Sequence, residues 1–244
     1  KEVVDKMLVI LPFEKKFYDE YRVDAHFVGH PLLDELQKVK HITKENFVRQ
    51  NQLEHKKEII ALLPGSRKQE VSRMLEIMLK VVDRFPNYQF VIACAPSLTE
   101  DFYKKIVGNA NVHLVFNKTY QLLQVASAAL VTSGTATLET ALFYVPEVVC
   151  YKGNPISYII AKNLIQVKYI CLVNLIMDKP VVKELIQYDL TPDNISEELK
   201  LLLSNHKKQL QLLDDYEDLR IVLGNTGASF NAASVIVNDL KKKK

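Results

Sequence analysis

The chain has 244 residues, 48% hydrophobic and 25% charged, a composition ordinary for a globular protein with a sizeable core. Four positive charges belong to the terminal run Lys241–Lys244, and removing them takes the formal charge of +3 to −1, so composition gives no support for a nucleic-acid binder. No apolar run is long enough to span a bilayer, and no signal peptide is visible.

The lysine run reads as a solvated tail, with weak attraction to an anionic membrane surface as the other reading. Cys94, Cys150 and Cys171 are odd in number and each sits inside an apolar run, which predicts reduced, buried thiols in a cytoplasmic protein. The chain starts at Lys1 and enters an apolar run almost at once, as expected of a piece of something longer.

Met7 to Leu11 is an apolar run ended by Pro12, and FEKKFYDEY after it has helical periodicity. Ala25 to Val28 is a second short run, closed by Gly29-His30-Pro31. Residues 29 to 57 then turn polar, with helices expected near Leu32 to Lys38 and from Thr43. His26 and His30 have a metal-pair spacing, but Gly29 and Pro31 argue against a helix there, so a structural turn histidine is the better reading.

Glu58 to Leu63 reads as a buried strand, followed by Pro64-Gly65-Ser66-Arg67 and a long amphipathic helix from about Gln69 to Phe85. A glycine turn opening a helix offers free backbone N–H groups to an anion. Arg67 adds a fork of donors suited to phosphate oxygens, at the helix end that the macrodipole disfavours for a cation. Strands at Gln89–Ala93 and Val112–Phe116 alternate with helices at Leu98–Val107 and Tyr120–Ala126.

Ala128 to Lys152 holds the central unit. A strand, Ala128–Thr132, runs into the turn Ser133-Gly134-Thr135, then a helix with Leu138, Ala141 and Leu142, then Pro146 and a strand at Val148–Cys150. Ser133 and Thr135 supply hydroxyls, and Gly134 lets a ligand approach the backbone. Glu139 lies one turn after Thr135 on the same face. That spacing fits a capping box poorly and suits a carboxylate gripping a ribose diol, so helix-start chemistry and ligand binding stand level.

Beyond it come an expected apolar helix at Pro155–Leu164, a strand at Tyr169–Val173 and a short helix at Val181–Gln187 carrying Glu184 and Gln187 on one side. Tyr158, Ile159 and Ile160 are read as a buried helix face, with membrane contact as the other reading. From Pro192 onward the chain is expected to be helical: Ile195–Leu203, His206 to about Leu223, and Ala228–Leu240. Asp214, Asp215, Glu217 and Asp218 are taken as a solvated helix face. The pattern predicts an α/β fold, a Rossmann-like doubly wound parallel sheet with a helical C-terminal tail. Both glycine turns, Tyr151, Lys152 and Asn174 would then follow strands and face the crevice at their carboxyl ends. There is no GxGxxG, Walker loop or serine-nucleophile motif.

These residues together resemble lipid-A-disaccharide synthase. The likeness rests on LPFEKKFY at Leu11–Tyr18, FVGHPL at Phe27–Leu32, LPGSR at Leu63–Arg67 with Glu70 after it, SGTATLE at Ser133–Glu139, Tyr151-Lys152, Asn174, and KELIQ at Lys183–Gln187. It runs from about Leu8 to the C-terminal helices. The resemblance implies the C-terminal, donor-binding half of an inverting, two-domain GT-B glycosyltransferase that uses neither metal nor cofactor. That enzyme transfers 2,3-diacylglucosamine from UDP to 2,3-diacylglucosamine 1-phosphate (lipid X) and releases UDP.

By the same carry-over, Gly65, Ser66 and Arg67 bind the diphosphate with help from Ser133, Gly134 and Thr135, and Glu139 holds the ribose. Tyr151, Lys152, Asn174, Glu184 and Gln187 are the further donor contacts, and Arg67 stabilises charge on the leaving UDP. Residues 1–28 read as the end of an acceptor domain, 29–57 as a crossover, 58–223 as the donor domain and 224–244 as a closing helix and tail. The acceptor site and the base belong to a first domain that is nearly all absent, so this half is expected to be inactive alone, in the cytoplasm or at the inner face of the membrane. Val173 stands where that family usually has proline. Two other classes remain open: another UDP-sugar enzyme such as a UDP-N-acetylglucosamine 2-epimerase, or a non-catalytic UDP-sugar-binding module.

Overall fold

A computed structural model describes residues 4–153 and 168–242. The predicted helix at 155–164, with Tyr158, Ile159 and Ile160, lies outside the described residues. The chain forms two compact units, residues 1–40 with 217–244 and residues 41–216. Residues 29–40 fall in the smaller unit and 41–57 in the larger.

In the smaller unit, β1 (Met7–Val9) and β2 (Ala25–Phe27) pair in parallel around α1 (Pro12–Glu20). Pro12 opens α1 where its missing N–H is harmless, and Glu14 Oε2 accepts the Leu11 N–H at 2.9 Å. His30 caps α2 (Pro31–Gln37), its Nδ1 accepting the Leu32 N–H at 3.2 Å, so it is a turn histidine. The closing helix α11 (Ala228–Lys242) begins on Asp34, whose carboxylate accepts the N–H groups of Gly227 and Ser229. Those donors hold the Asp34 carboxyl below its ordinary value.

The larger unit is built on one six-stranded sheet in the order β5-β4-β3-β6-β7-β8, parallel throughout. Its strands are β3 (Glu58–Leu63), β4 (Tyr88–Cys94), β5 (Val112–Phe116), β6 (Ala128–Thr132), β7 (Glu147–Tyr151) and β8 (Lys183–Ile186). Strand order runs outward one way from β3 to β5 and the other way from β6 to β8. The switch point therefore falls between β3 and β6.

The central strands are apolar on both faces, as burial between two helical layers requires. Ile59, Ala61 and Leu63 pack with Phe47 and Val48 of α3 (Lys44–Gln50) and Leu122 and Leu123 of α6 (Thr119–Leu123). The alternate residues Ile60 and Leu62 point to the opposite face. There α9 (Pro192–Ser204) contacts β6, β7 and α4 (Lys68–Leu79). Thr99, Thr43 and Thr191 cap α5 (Glu100–Val107), α3 and α9 through their hydroxyls. All three cysteines are buried and free.

Four expectations need correction. The long helix from Gln69 ends at Leu79, and Val82–Arg84 forms a 3-10 turn that still buries Val82 and Phe85. The strand expected at Tyr169–Val173 is instead the start of α8 (Leu172–Met177), because the Glu184 carboxylate takes the Ile170 and Cys171 N–H groups and so caps a helix there. The helix expected at Val181–Gln187 is the edge strand β8, so Glu184 and Gln187 do not share a helix face. Leu185 alternates inward between more exposed neighbours, a period of two. Asp215 on α10 (His206–Val222) is buried rather than solvated, and accepts from Lys179 Nζ at 2.6 Å. Among the described residues no helix is long and apolar enough to cross a membrane.

Candidate functional site

Open parallel sheets leave a crevice beyond the carboxyl ends of the strands that flank the switch point, because the helices depart to opposite faces there. Here that crevice is a cavity of about 370 Å³. Its floor is formed by the ends of β3 (Leu63), β4 (Ala93, Cys94) and β6 (Thr132). Two glycine turns rise from that floor, Gly65–Arg67 before α4 and Ser133–Thr135 before α7 (Thr135–Leu142).

The first turn is held by an internal carboxylate. Glu70 Oε2 accepts the Ser66 N–H at 3.1 Å. Gly65 has φ +107°, and a Cβ there would come within 2.2 Å of the same oxygen, so only glycine fits. Arg67 is the N-cap residue of α4, exposed and without an ion-pair partner among the described residues. A guanidinium left unpaired in a cleft has its five donors available to an anion.

The second turn differs. Gly134 is extended and a Cβ there would meet no protein atom, so packing does not demand glycine. Thr137 Oγ1 donates to the Gly134 carbonyl at 2.8 Å, and no side chain caps the helix. The N-terminal amides of α7 therefore face the cleft without a capping side chain. Glu139 lies one turn on, in the same cavity, and Tyr120 Oη donates to its Oε1 at 3.0 Å. Burial pushes the Glu139 carboxyl above its ordinary value, and the Tyr120 hydroxyl partly offsets this. Burial holds the Cys94 thiol up at about 12, so it stays protonated and is no nucleophile.

Gly65, Ser66, Arg67, Ser133, Gly134, Thr135 and Glu139 are thus brought together in one cavity. The remaining predicted residues form a second cluster. Asn174 is 1% exposed, its Oδ1 accepting the Val182 N–H at 2.9 Å and its Nδ2 donating to the Val182 carbonyl at 2.9 Å and to Glu184 at 3.2 Å. Glu184 also takes the Ile170 and Cys171 amides, and Ser133 Oγ donates to the Ile170 carbonyl at 3.1 Å. The cluster therefore braces the second turn from behind. The carbonyls of Tyr151 and Lys152 accept from the Gln187 N–H at 2.8 Å and from Arg73 at 3.1 Å. The Gln187 side-chain nitrogen is buried with no partner among the described residues.

Ala93–Pro96, Thr119 and Thr132 line the cavity without having been singled out from the sequence. For the first group a signal existed: FVIACAP is a buried strand ending at proline, and its neighbour in the sheet is β3. Nothing local marks Thr119. No group of three or more His, Cys, Asp or Glu is placed to hold a metal among the described residues.

Among solved structures, WaaG, a glycosyltransferase involved in lipopolysaccharide biosynthesis, superposes with TM-score 0.56 at 13% identity, covering 95% of this chain and 62% of its own. UDP-GlcNAc 2-epimerase from Neisseria meningitidis, bound to UDP-GlcNAc, gives TM-score 0.64 at 17% identity, covering 97% of this chain and 61% of its own. Such superpositions show the fold alone: a Rossmann-like parallel sheet shared with these two proteins. Sequence is more specific. The lipid-A-disaccharide synthase of Syntrophus aciditrophicus is 39% identical over 247 aligned positions, which cover 98% of this chain and 64% of the relative's length. The family described as Lipid-A-disaccharide synthetase matches residues 1–236. The chain belongs to the lipid-A-disaccharide synthase family.

Proposed function

We propose that this chain is the donor-binding part of a glycosyltransferase that makes the lipid A disaccharide, and that the cavity between β3 and β6 takes the UDP moiety of UDP-2,3-diacylglucosamine. The observation that carries this reading is Arg67, an exposed guanidinium without an ion-pair partner among the described residues, beside two glycine turns in one cavity at the switch point. Ser66 and Arg67, with the amides of the Ser133–Thr135 turn, receive the diphosphate, and Glu139 accepts from the ribose hydroxyls. Asn174 and Glu184 act through the second turn, while Tyr151, Lys152 and Gln187 line the approach of the sugar.

In the reaction, the bond from the anomeric carbon to the diphosphate oxygen breaks and the pair leaves with UDP. A bond forms to the 6-hydroxyl of lipid X from the opposite side, inverting the centre. The hydroxyl proton passes to a base outside this chain, in the part of the relatives that it does not span. Negative charge grows on the diphosphate as the bond breaks, and Arg67 with the two helix N-termini is placed to stabilise it more in the transition state than in the ground state. No metal is required on this reading. Residues 1–28 close an acceptor domain, 29–57 cross over, 58–223 form the donor domain and 224–244 close the chain, which works in the cytoplasm, free or at the inner face of the membrane.

The test is calorimetric titration of the folded chain with UDP, beside Arg67→Ala and Glu139→Ala. Wild-type binding that Arg67→Ala weakens by about tenfold or more is expected, since a hydrogen bond to a charged group contributes about 1.5–3 kcal/mol. No UDP binding by well-folded wild-type chain, or equal binding by both variants, rejects the assignment. Supplying the remainder of the enzyme and assaying disaccharide formation separates a catalytic part from a binding module.

A further inference from the structure

Thr132 closes β6 on the cavity floor. The residue is 3% exposed, and its hydroxyl oxygen is covered and has no hydrogen-bond partner among the described residues. A buried hydroxyl left in that state is costly, and proteins rarely keep one without a reason. Three other hydroxyls of this strand–turn–helix unit, those of Ser133, Thr137 and Thr140, donate to backbone carbonyls at 3.1, 2.8 and 2.7 Å, and that of Thr135 is on an exposed residue. Among the described residues of the unit, Thr132 is the one whose hydroxyl is buried without a partner.

Register fixes where it sits. Leu63 pairs with Val131, so Thr132 stands beside the step from β3 into the Gly65–Arg67 turn, and it directly precedes the Ser133–Thr135 turn. Thr132 thus lines the cavity floor next to one of the two glycine turns and in the strand beside the other. A group reaching that point is one that both turns address, and anionic oxygens are what they suit.

We propose that the Thr132 hydroxyl is a further ligand contact, donating to a phosphoryl oxygen of the nucleoside diphosphate between the two turns. This rests on the donor-site reading above and adds a residue to it. The contact requires that a staggered rotamer of Thr132 present the hydroxyl to the cavity that the residue lines. The same hydroxyl loses its desolvation cost when the ligand arrives.

Valine has the shape of threonine without the hydroxyl, so Thr132→Val removes the donor alone, and Thr132→Ser keeps it. The full chain and both variants are titrated with UDP and with inorganic pyrophosphate, and each is unfolded in denaturant. The expected result is a loss of about tenfold in affinity for UDP and pyrophosphate in Thr132→Val, retention within about twofold in Thr132→Ser, and no loss of folding stability in Thr132→Val. A purely structural threonine would give the reverse, lower stability with unchanged binding, and would overturn the proposal. So would a loss for UDP with pyrophosphate unaffected, which moves the contact to the nucleoside. If wild-type chain binds UDP and Thr132→Val binds it equally, only the role of Thr132 falls. If folded wild-type chain binds no UDP, the donor-site reading falls and this inference with it.

Discussion

Tyr120 and Glu139 are joined by a hydrogen bond of 3.0 Å across the wall of the cavity, the phenol donating to the carboxylate. Burial raises the Glu139 carboxyl and this contact works the other way. An ionised carboxylate accepts from a ribose diol and a protonated one does so less well, so nucleotide binding should weaken as pH falls through the raised value. Tyr120→Phe removes the lowering contact, leaves burial in place and moves the acid limb of binding to higher pH. UDP affinity measured from roughly pH 5 to 8 in both proteins checks the direction, and a limb that stays put or moves down contradicts the assignment of Glu139.

Gly65 and Gly134 should behave in opposite ways when replaced by alanine. At Gly65 a Cβ meets the Glu70 carboxylate and φ is +107°, so Gly65→Ala strains the turn and frees the Ser66 amide from its acceptor. A loss of stability of about 1–2 kcal/mol is expected, together with loss of UDP binding. At Gly134 a Cβ meets no protein atom and the backbone is extended. Gly134→Ala should therefore leave stability within about 0.5 kcal/mol of wild type while UDP affinity drops, because only a ligand approaching the turn meets the added methyl. Denaturant unfolding beside calorimetry separates the two cases, and equal destabilisation by both substitutions contradicts it.

Where the sequence was legible, one physical rule acted locally. Ala128–Thr132 is the predicted strand to the residue, because a short run of five buried residues ended by a Ser-Gly turn is too short for a helix and bounded for a strand. The two glycine turns were visible for the same reason, and they met in one cavity. The region from Tyr169 to Gln187 was misread because its structure is decided at a distance. YICLVN is apolar enough for a strand, yet Glu184, on a different element, supplies the acceptor that starts a helix at Leu172. KELI has too few residues for its period to show, and only pairing with β7 makes it a strand. Thr119 and Thr132 escaped notice because lining a cavity depends on sheet order, which no local pattern carries.

Asn174 is predicted to act through folding rather than through direct contact. Its amide exchanges two hydrogen bonds of 2.9 Å with the Val182 backbone inside the protein, and it also donates to Glu184. Asn174→Ala leaves a buried N–H and a buried carbonyl of Val182 without partners, which should cost about 2–4 kcal/mol. Asn174→Asp keeps the acceptor but brings a carboxylate against Glu184, and should be at least as harmful. Denaturation of both variants is the measurement. If stability is unchanged while UDP affinity collapses, Asn174 is a ligand contact after all.

Glu147 gives the last prediction. It opens β7, is 1% exposed, and neither carboxylate oxygen has a hydrogen-bond partner among the described residues. Burial alone holds the Glu147 carboxyl well above its ordinary value. The folded state thus binds a proton that the unfolded chain releases near the usual glutamate range. The fold is therefore favoured most when pH is below that range, and loses stability as pH rises from the unfolded value toward the raised folded one. Glu147→Leu keeps the apolar surroundings, removes both unpartnered oxygens and abolishes this dependence. It should be more stable than wild type by about 1–3 kcal/mol near neutral pH, with the gap closing as pH falls. Melting temperatures of the two proteins across pH read this directly: a variant less stable than wild type at neutral pH means that the carboxylate has a partner that holds it, and that its burial serves the fold.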